Sequence, residues 1–304
     1  MTSPMPWSMV AQGVVVGGME CGDLTGYPVL AFHGAPGCHV EAVRFAHAAA
    51  AAAGLRLIAV DRPGMGVSEM TPCRQVVDWM GTVEAVADQM GLDEFAVLGA
   101  SGGGPYALAA AYRMPDRVSQ VVLVSAFAPV VDGDKPVPGK GKRAGGLMIL
   151  RKLPFLARPA AARMAQVVRT PQGLAALIKQ MSPADQARIA RDDQLLANIG
   201  DNIRVCFEAG SRGVAADLQR VLVRPWGFEL YEVSTPTVSW HGDSDANVPA
   251  GDARRLAAAL PNAELEIVEG VGHLLFVDHA AAVLASLRGS RQDQSRNSGG
   301  VLRD

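Results

Sequence analysis

Cysteine is scarce in this 304-residue chain and forms no C-x-x-C pair; the four residues are Cys21, Cys38, Cys73 and Cys206. Their scatter predicts buried free thiols in a reduced, cytoplasmic protein rather than a disulfide framework. No apolar run reaches the roughly 18 residues that cross a bilayer, and the first residues lack the basic and long apolar stretches of a secretory signal. We therefore expect no membrane partner.

An excess of positive charge is also lacking, because 28 Lys and Arg residues are set against 30 Asp and Glu residues. This balance gives no reason to expect a nucleic-acid partner. A hydrophobic content of 49% with 19% charged residues is typical of an ordinary globular protein. The length allows one large core, or one core with a smaller cap.

Short apolar runs alternate with longer helical patterns along most of the chain. The predicted strands are Val14–Val16, Pro28–Phe32, Leu55–Asp61, Phe95–Gly99, Val118–Ser125, Thr237–His241 and Glu264–Val268. The predicted helices are Glu41–Ala53, Gln75–Met90, Gly103–Arg113, Asp252–Ala259 and Leu274–Leu287. Continuously apolar strands are typical of parallel sheets covered on both faces, so the pattern predicts a doubly wound, mostly parallel α/β sheet. In such sheets, sites form at the carboxyl ends of the strands.

The alternation stops between residues 128 and 232, where several prolines separate short helical patterns and no strand is evident. Because a structureless loop of this length is implausible in a compact domain, we expect a helical cap. The predicted division is a core of residues 1–127 and 233–289, a cap of residues 128–232 and a disordered polar tail of residues 290–304.

The stretch GASGGG at residues 99–104 follows an apolar strand pattern and precedes a helical one. It has neither the lysine of a phosphate-binding loop nor the spacing of a dinucleotide-binding loop. The segment Gly99-Ala100-Ser101-Gly102-Gly103 instead resembles the nucleophile elbow, G-x-S-x-G, of the α/β-hydrolase superfamily. Small neighbours allow the sharp, strained turn that presents such a serine, and the following helix start favours developing negative charge.

Other segments resemble motifs of the same superfamily, in the same order. They are H-G-A-P-G at residues 33–37, D-R-P-G-M-G-V-S at 61–68, H-G-D-S-D-A-N-V-P at 241–249 and G-V-G-H at 270–273. The resemblance covers nearly all of residues 10–288 and implies a sheet of about eight strands with an inserted helical cap.

The resemblance also implies a role for each site residue. Ser101 would be the nucleophile, His273 the general base and Asp245 the acid that orients it, with Asp243 as a rival for the acid. The backbone N–H groups of Ala35 and Gly102 would form the oxyanion hole.

Three further residues, His33, Gly34 and Asp61, would support the loops around the site, although His33 is also an alternative base. Clustering of His241, Asp243 and Asp245 raises a metal site as an alternative, but no second ligand motif supports it.

These roles predict a serine hydrolase that forms an acyl-serine on an ester, thioester or lactone, with no metal or organic cofactor. The substrate would be a small carbonyl compound. A non-hydrolytic enzyme such as a cyclase, or a ligand-binding receptor, remains an alternative because the fold does not determine the reaction.

Positive charge is concentrated in part of the predicted cap. Residues 135–179 contain ten basic and no acidic side chains: Lys135, Lys140, Lys142, Arg143, Arg151, Lys152, Arg158, Arg163, Arg169 and Lys179. One hypothesis is that this segment attracts an anionic substrate or an acidic carrier protein. The alternative is a solvated surface with no ligand. The oligomeric state is not predicted by the sequence.

Overall fold

The computed structural model describes residues 2–129, 131–132, 135–136 and 152–288. Eight strands form the main sheet: β1 Met5–Ala11, β2 Val14–Gly22, β3 Tyr27–Phe32, β4 Leu55–Val60, β5 Phe95–Ala100, β6 Val118–Val124, β9 Thr237–Gly242 and β10 Ala263–Val268. Their order is β1-β2-β4-β3-β5-β6-β9-β10, and all pairs from β4 to β10 are parallel. The predicted mostly parallel α/β sheet of about eight strands is therefore confirmed.

The central strands are continuous apolar runs because helices cover both of their faces. Strand β4, LRLIAV, is almost wholly buried, whereas the edge strand β10, AELEIV, alternates between exposed and half-buried positions. The antiparallel strand β1 was not predicted. Its sequence MPWSMVA is largely exposed and lacks a continuous apolar run, so it gives a weak strand signal.

Helices pack on the two faces of the sheet. They are α1 Val40–Phe45, α2 His47–Ala53, α3 Met80–Gln89, α4 Gly104–Arg113, α10 Ala250–Ala259 and α11 Leu275–Ala285. Helices α3, α4 and α10 contribute to the apolar core on one face, and α1, α2 and α11 contribute to the core on the other. The single helix predicted for residues 41–53 is two helices, because the chain departs from helical geometry at Ala46.

The chain between β6 and β9 contains a helical insertion, which we define as residues 154–232. Its α-helices are α5 Ala157–Val167, α6 Pro171–Ile178, α7 Pro183–Ile189, α8 Asp193–Cys206 and α9 Arg212–Leu222. The insertion shares an apolar cluster with the sheet domain, in which Cys206 and Val214 pack with Cys38 and Met65.

The expectation of no strand between residues 128 and 232 was wrong, because the two-residue strands β7 Val131–Asp132 and β8 Lys135–Pro136 pair there. Such short pairs leave no periodic signal in a sequence. The predicted tail at residues 290–304 lies outside the described residues, and the division into core and cap stays a prediction. No helix of the described part is both long and apolar enough to cross a membrane.

Candidate active site

Ser101 lies where β5 ends and a single 3-10 turn leads into α4. Its φ angle is +49°, a left-handed conformation that a serine rarely adopts. The glycines around it are required by space: a Cβ on Gly103 would overlap the carbonyl oxygen of Phe32, and a Cβ on Gly99 would lie 2.7 Å from the Cα of Gly104. The turn predicted from G-x-S-x-G is thus the one the structure has.

Three distant side chains meet beside this turn. The Nε2 atom of His273 lies 3.0 Å from the Oγ atom of Ser101, and its Nδ1 atom lies 2.7 Å from Oδ2 of Asp245. The rival acid, Asp243, is exposed and accepts hydrogen bonds from Ser244 and from the backbone of Gly270. The structure therefore brings together Ser101, His273 and Asp245, as predicted, and places Asp243 in a neighbouring turn.

Asp245 is held as a carboxylate by its surroundings. Its Oδ1 atom accepts the backbone N–H groups of Asn247 at 2.7 Å and Val248 at 2.8 Å. Burial opposes ionisation, but the charge and hydrogen bond of His273 and the Val248 amide outweigh it and lower the pKa of Asp245. An ionised acceptor therefore faces Nδ1 of His273, while Nε2 faces the Ser101 hydroxyl.

The predicted oxyanion donors, Ala35 and Gly102, are neighbours. A Cβ on Gly102 would lie 2.6 Å from the Cβ of Ala35 and 3.2 Å from its backbone nitrogen. Gly34, the residue before Ala35, lies beside Ser101, since a Cβ there would lie 3.6 Å from the serine Cβ. The loop of residues 33–37 and the residue after the serine thus line one side of the Ser101 hydroxyl.

His33 is engaged in holding this loop together. Its Nδ1 atom lies 2.8 Å from the Gly34 carbonyl oxygen, and its Nε2 atom lies 3.2 Å from the backbone nitrogen of Arg62. Burial, with a further contribution from the Arg62 charge, lowers the pKa of His33 well below its ordinary value. Both ring nitrogens have partners, so His33 supports the loop and is poorly placed to act as the alternative base.

Asp61 also supports loops around the site. Its carboxylate accepts hydrogen bonds from the backbone N–H of His39 at 2.6 Å and of Val67 at 2.9 Å, and contacts the His39 ring at 2.7 Å. Cys38, His39 and Asp61 place potential ligand atoms within 4.8 Å of one another. The carboxylate already has three partners there, so we assign the cluster to loop structure.

The insertion contributes a buried ion pair that sequence reasoning missed. Arg62 donates from Nε and Nη2 to Asp217 of α9 at 3.1 Å and 2.9 Å, and both side chains are fully buried. The same guanidinium donates to the carbonyl oxygens of His33 and Gly34. Tyr106 of α4 donates its hydroxyl to Asp217 at 2.7 Å. Helix α9 therefore helps to fix the 33–37 loop.

Two further carboxylates near the site were also missed. Glu41 of α1 accepts the backbone N–H of Gly34 at 3.0 Å, and burial raises its pKa. Asp185 of α7 accepts the backbone N–H groups of His273 and Leu274. Of these two carboxylates, only Asp185 lies near a recognisable sequence signal. Ser182 and Pro183 come shortly before it, a pattern typical of helix starts.

A small cavity lies behind the 33–37 loop, on the side of the sheet covered by α1 and α11. Its lining includes Glu41, Phe276 and the alanines Ala42 and Ala46. With a volume of about 20 Å³ it has room for a single water molecule and not for a substrate.

Comparison with known proteins identifies the family. The model of the alpha/beta hydrolase fold family matches residues 27–280. Among curated proteins, a 2-hydroxy-6-oxononadienedioate/2-hydroxy-6-oxononatrienedioate hydrolase from Cupriavidus pinatubonensis is 30% identical over 76% of this chain and 74% of its own length. A poly(3-hydroxyalkanoate) depolymerase from Ectopseudomonas oleovorans is 29% identical over 84% of this chain and 81% of its own.

A solved structure shows the same fold. A bromoperoxidase from Bacillus anthracis superposes with a TM-score of 0.73 at 21% identity, over 94% of this chain and 100% of that one. Together with the family match over residues 27–280, this shows that the chain belongs to the alpha/beta hydrolase fold family.

Proposed function

We propose that this protein is a serine hydrolase that cleaves a carboxylic ester, thioester or lactone through an acyl-serine intermediate. The hydrogen-bonded series from Asp245 to His273 to Ser101, with spacings of 2.7 Å and 3.0 Å, is the observation that carries the proposal. Ser101 is only 9% exposed, so its hydroxyl reacts in a largely desolvated setting where charge interactions are strong.

In the acylation step, Oγ of Ser101 attacks the substrate carbonyl carbon while Nε2 of His273 takes the hydroxyl proton. The carbonyl oxygen becomes an oxyanion, which the backbone N–H groups of Ala35 and Gly102 would bind. His273 then gives the proton to the oxygen or sulfur atom of the leaving group as its bond to the carbonyl carbon breaks, so that an alcohol or thiol departs and the acyl group stays on the serine. Asp245 stays ionised and stabilises the imidazolium that forms between these two transfers.

In the deacylation step, water replaces the leaving group. His273 takes a proton from the water as its oxygen attacks the acyl-serine carbonyl, and returns that proton to Oγ of Ser101 as the bond breaks. The products are a carboxylic acid and the regenerated serine. Each proton taken by the imidazole is given back, so the cycle needs no metal or organic cofactor.

A second candidate is hydrolysis of a carbon–carbon bond beside a ketone. It is favoured by the 30% identity to a hydrolase of 2-hydroxy-6-oxononadienedioate and 2-hydroxy-6-oxononatrienedioate. Such substrates carry carboxylates, in line with the hypothesis of an anionic substrate. The two candidates differ in the leaving group, which is an oxygen or sulfur atom in the first and a carbon atom in the second.

The experiment combines a fluorophosphonate probe with short p-nitrophenyl esters. We expect the unchanged protein to be labelled and to turn the esters over. Ser101→Ala should abolish labelling and reduce kcat/KM by at least about 10³-fold. Ser8→Ala, at an exposed position of the edge strand β1, serves as the matched control and should behave as the unchanged protein.

The outcomes separate the candidates. Labelling with turnover of a 2-hydroxy-6-oxodienoate but not of esters would favour carbon–carbon hydrolysis. Labelling without hydrolysis of either class would indicate a non-hydrolytic enzyme. Full ester activity in Ser101→Ala would overturn the acyl-serine mechanism. If the unchanged protein neither reacts with the probe nor turns over any of these substrates, the result would favour a ligand-binding receptor.

A further inference from the structure

Asp185 is a buried carboxylate in the helical insertion that points at the segment carrying His273. Its side chain lies at the first turn of α7, and the residue is 2% exposed. Oδ2 accepts the backbone N–H of His273 at 3.0 Å, and Oδ1 accepts the backbone N–H of Leu274 at 2.9 Å. These two donors come just before α11, where the first N–H groups of the helix lack partners within it.

The carboxylate is itself fixed. Ser182, the residue that caps α7, donates its hydroxyl to Oδ2 of Asp185 at 2.7 Å and accepts the Asp185 backbone N–H at 3.1 Å. Gly272 leaves the space that the approach needs, because a Cβ there would overlap the Asp185 carboxyl group. Serine, aspartate and glycine thus fit together around one pair of hydrogen bonds.

We propose that Asp185 is a positioning residue for the reaction, which sets the backbone of His273 so that its imidazole stands between Asp245 and Ser101. The inference rests on the proposed function. The His273 peptide is held from two sides, since Ser125 donates its hydroxyl to the His273 carbonyl oxygen at 3.2 Å. A small displacement of this peptide would lengthen the bond from Nε2 to Ser101, on which proton transfer depends.

A second contact joins α7 to the part of the chain that follows His273. Helix α7 also contacts α11 through Arg188, whose Nε donates to Asp278 at 2.7 Å. Asp185 and Arg188 thus both join α7 to the segment that carries and follows His273.

The test compares Asp185→Asn with Asp193→Asn. Asparagine has nearly the same shape as aspartate but only one acceptor oxygen and no charge, so one of the two N–H groups loses its partner. Asp193 lies in the first turn of α8 of the same insertion, as Asp185 does in α7, and its side chain is exposed. Each variant is assayed with p-nitrophenyl acetate for kcat, KM and the pH dependence of kcat/KM, and with the fluorophosphonate probe for labelling rate.

We expect Asp185→Asn to lower kcat and the labelling rate about 10- to 100-fold with KM changed less than about 3-fold. The acid limb of the pH profile should move to lower pH, because losing a nearby negative charge disfavours the imidazolium. Asp193→Asn should leave kcat and the pH profile unchanged.

Gly272→Ala supplies an independent route to the same displacement, because the added methyl group pushes the carboxylate away. If both changes act through one contact, the double variant should be no slower than the slower single variant, whereas independent effects would multiply. This comparison keeps the proposal testable even where one variant folds poorly.

Two results would overturn the proposal. One is a kcat and pH profile in Asp185→Asn equal to those of the unchanged protein. The other is a loss that only follows the folded fraction measured by circular dichroism, with normal kcat per folded molecule. Failure of the proposed function looks different, because the unchanged protein itself would then not be labelled at Ser101.

Discussion

At the scale of single residues, His241 lies next to Asp245, the proposed acid of the site. Its Nε2 atom lies 2.8 Å from the Val248 carbonyl oxygen and 3.6 Å from Oδ2 of Asp245. Its Nδ1 atom is buried and has no partner among the described residues. Burial lowers the pKa of His241, so the ring is neutral and donates from Nε2 to Val248.

This burial predicts that the protein loses stability as the pH falls from about 6.5, the ordinary pKa of histidine. Below that pH, His241 binds a proton in the unfolded chain but not in the folded protein, so the free energy of unfolding falls as the pH falls. The decrease ends below the pKa that His241 has in the folded protein. His241→Gln keeps a donor for Val248 and removes the titration. We expect its free energy of unfolding, measured with urea at pH 7.5 and 5.5, to depend less steeply on pH.

The size of the difference follows from linkage, since each unit of pKa depression corresponds to about 1.4 kcal/mol. His33 acts in the same direction, and Glu41, with its raised pKa, acts in the opposite one. Both are present in the two proteins, so their contributions cancel in the comparison. Equal pH dependence in the two proteins would show that folding does not change the pKa of His241.

At the scale of elements, the predictable parts of the site are those that lie in short segments directly after strands. The strand patterns of β3, β5 and β9 are local signals. In a parallel sheet the carboxyl ends of these strands meet at one edge, so motifs far apart in sequence converge. The contacts of Asp185 and Asp217 were not predictable. They depend on how the insertion packs on residues more than 80 positions away, which no local pattern encodes.

The buried pair between Arg62 and Asp217 joins α9 to the 33–37 loop and leads to a prediction about stability. Asp217→Asn would leave the Arg62 charge buried without its counterion, which costs about 3–5 kcal/mol in comparable cases. We expect a loss of this size in the free energy of unfolding, measured by urea denaturation. Activity should fall as well, because Arg62 binds the carbonyl oxygens of His33 and Gly34.

Asp252→Asn provides the control for this experiment. Asp252 pairs with Arg255 on α10 at 2.9 Å, and both side chains are more than a third exposed. Exposed pairs contribute less than about 1 kcal/mol, so this variant should unfold almost as the unchanged protein does. Replacing both buried partners, as Arg62→Met with Asp217→Leu, should recover part of the lost stability. A cost below about 1 kcal/mol for Asp217→Asn would show that Arg62 is solvated in solution.

At the scale of the whole molecule, the insertion contacts both the segment that carries His273 and the arginine that binds the 33–37 loop. Asp185 of α7 binds the backbone before α11, and Asp217 of α9 binds the arginine that holds the 33–37 loop. The proposed general base, His273, and the arginine that binds the predicted oxyanion loop are thus both contacted by carboxylates of one inserted segment.

Positive charge is exposed on the insertion and just before it. Five of the ten basic residues noted in the sequence have described side chains, and all five are exposed: Lys152, Arg158, Arg163, Arg169 and Lys179. No acidic residue occurs between residues 152 and 184. The side chains of the other five lie outside the described residues. A field of this sign would draw anions toward the insertion and leave neutral substrates unaffected.

We therefore expect the charge of the substrate to decide how the enzyme responds to salt. Raising ionic strength from about 0.02 to 0.5 M shortens the screening length from about 20 Å to about 4 Å. For an ester bearing a carboxylate, kcat/KM should fall several-fold over this range, while for its neutral methyl ester it should stay constant. Changing Arg158, Arg163 and Arg169 to Gln should flatten the response to the anionic ester and leave the neutral one unchanged. Identical salt dependence for the two esters would mean that the basic surface is solvated and plays no part in substrate capture.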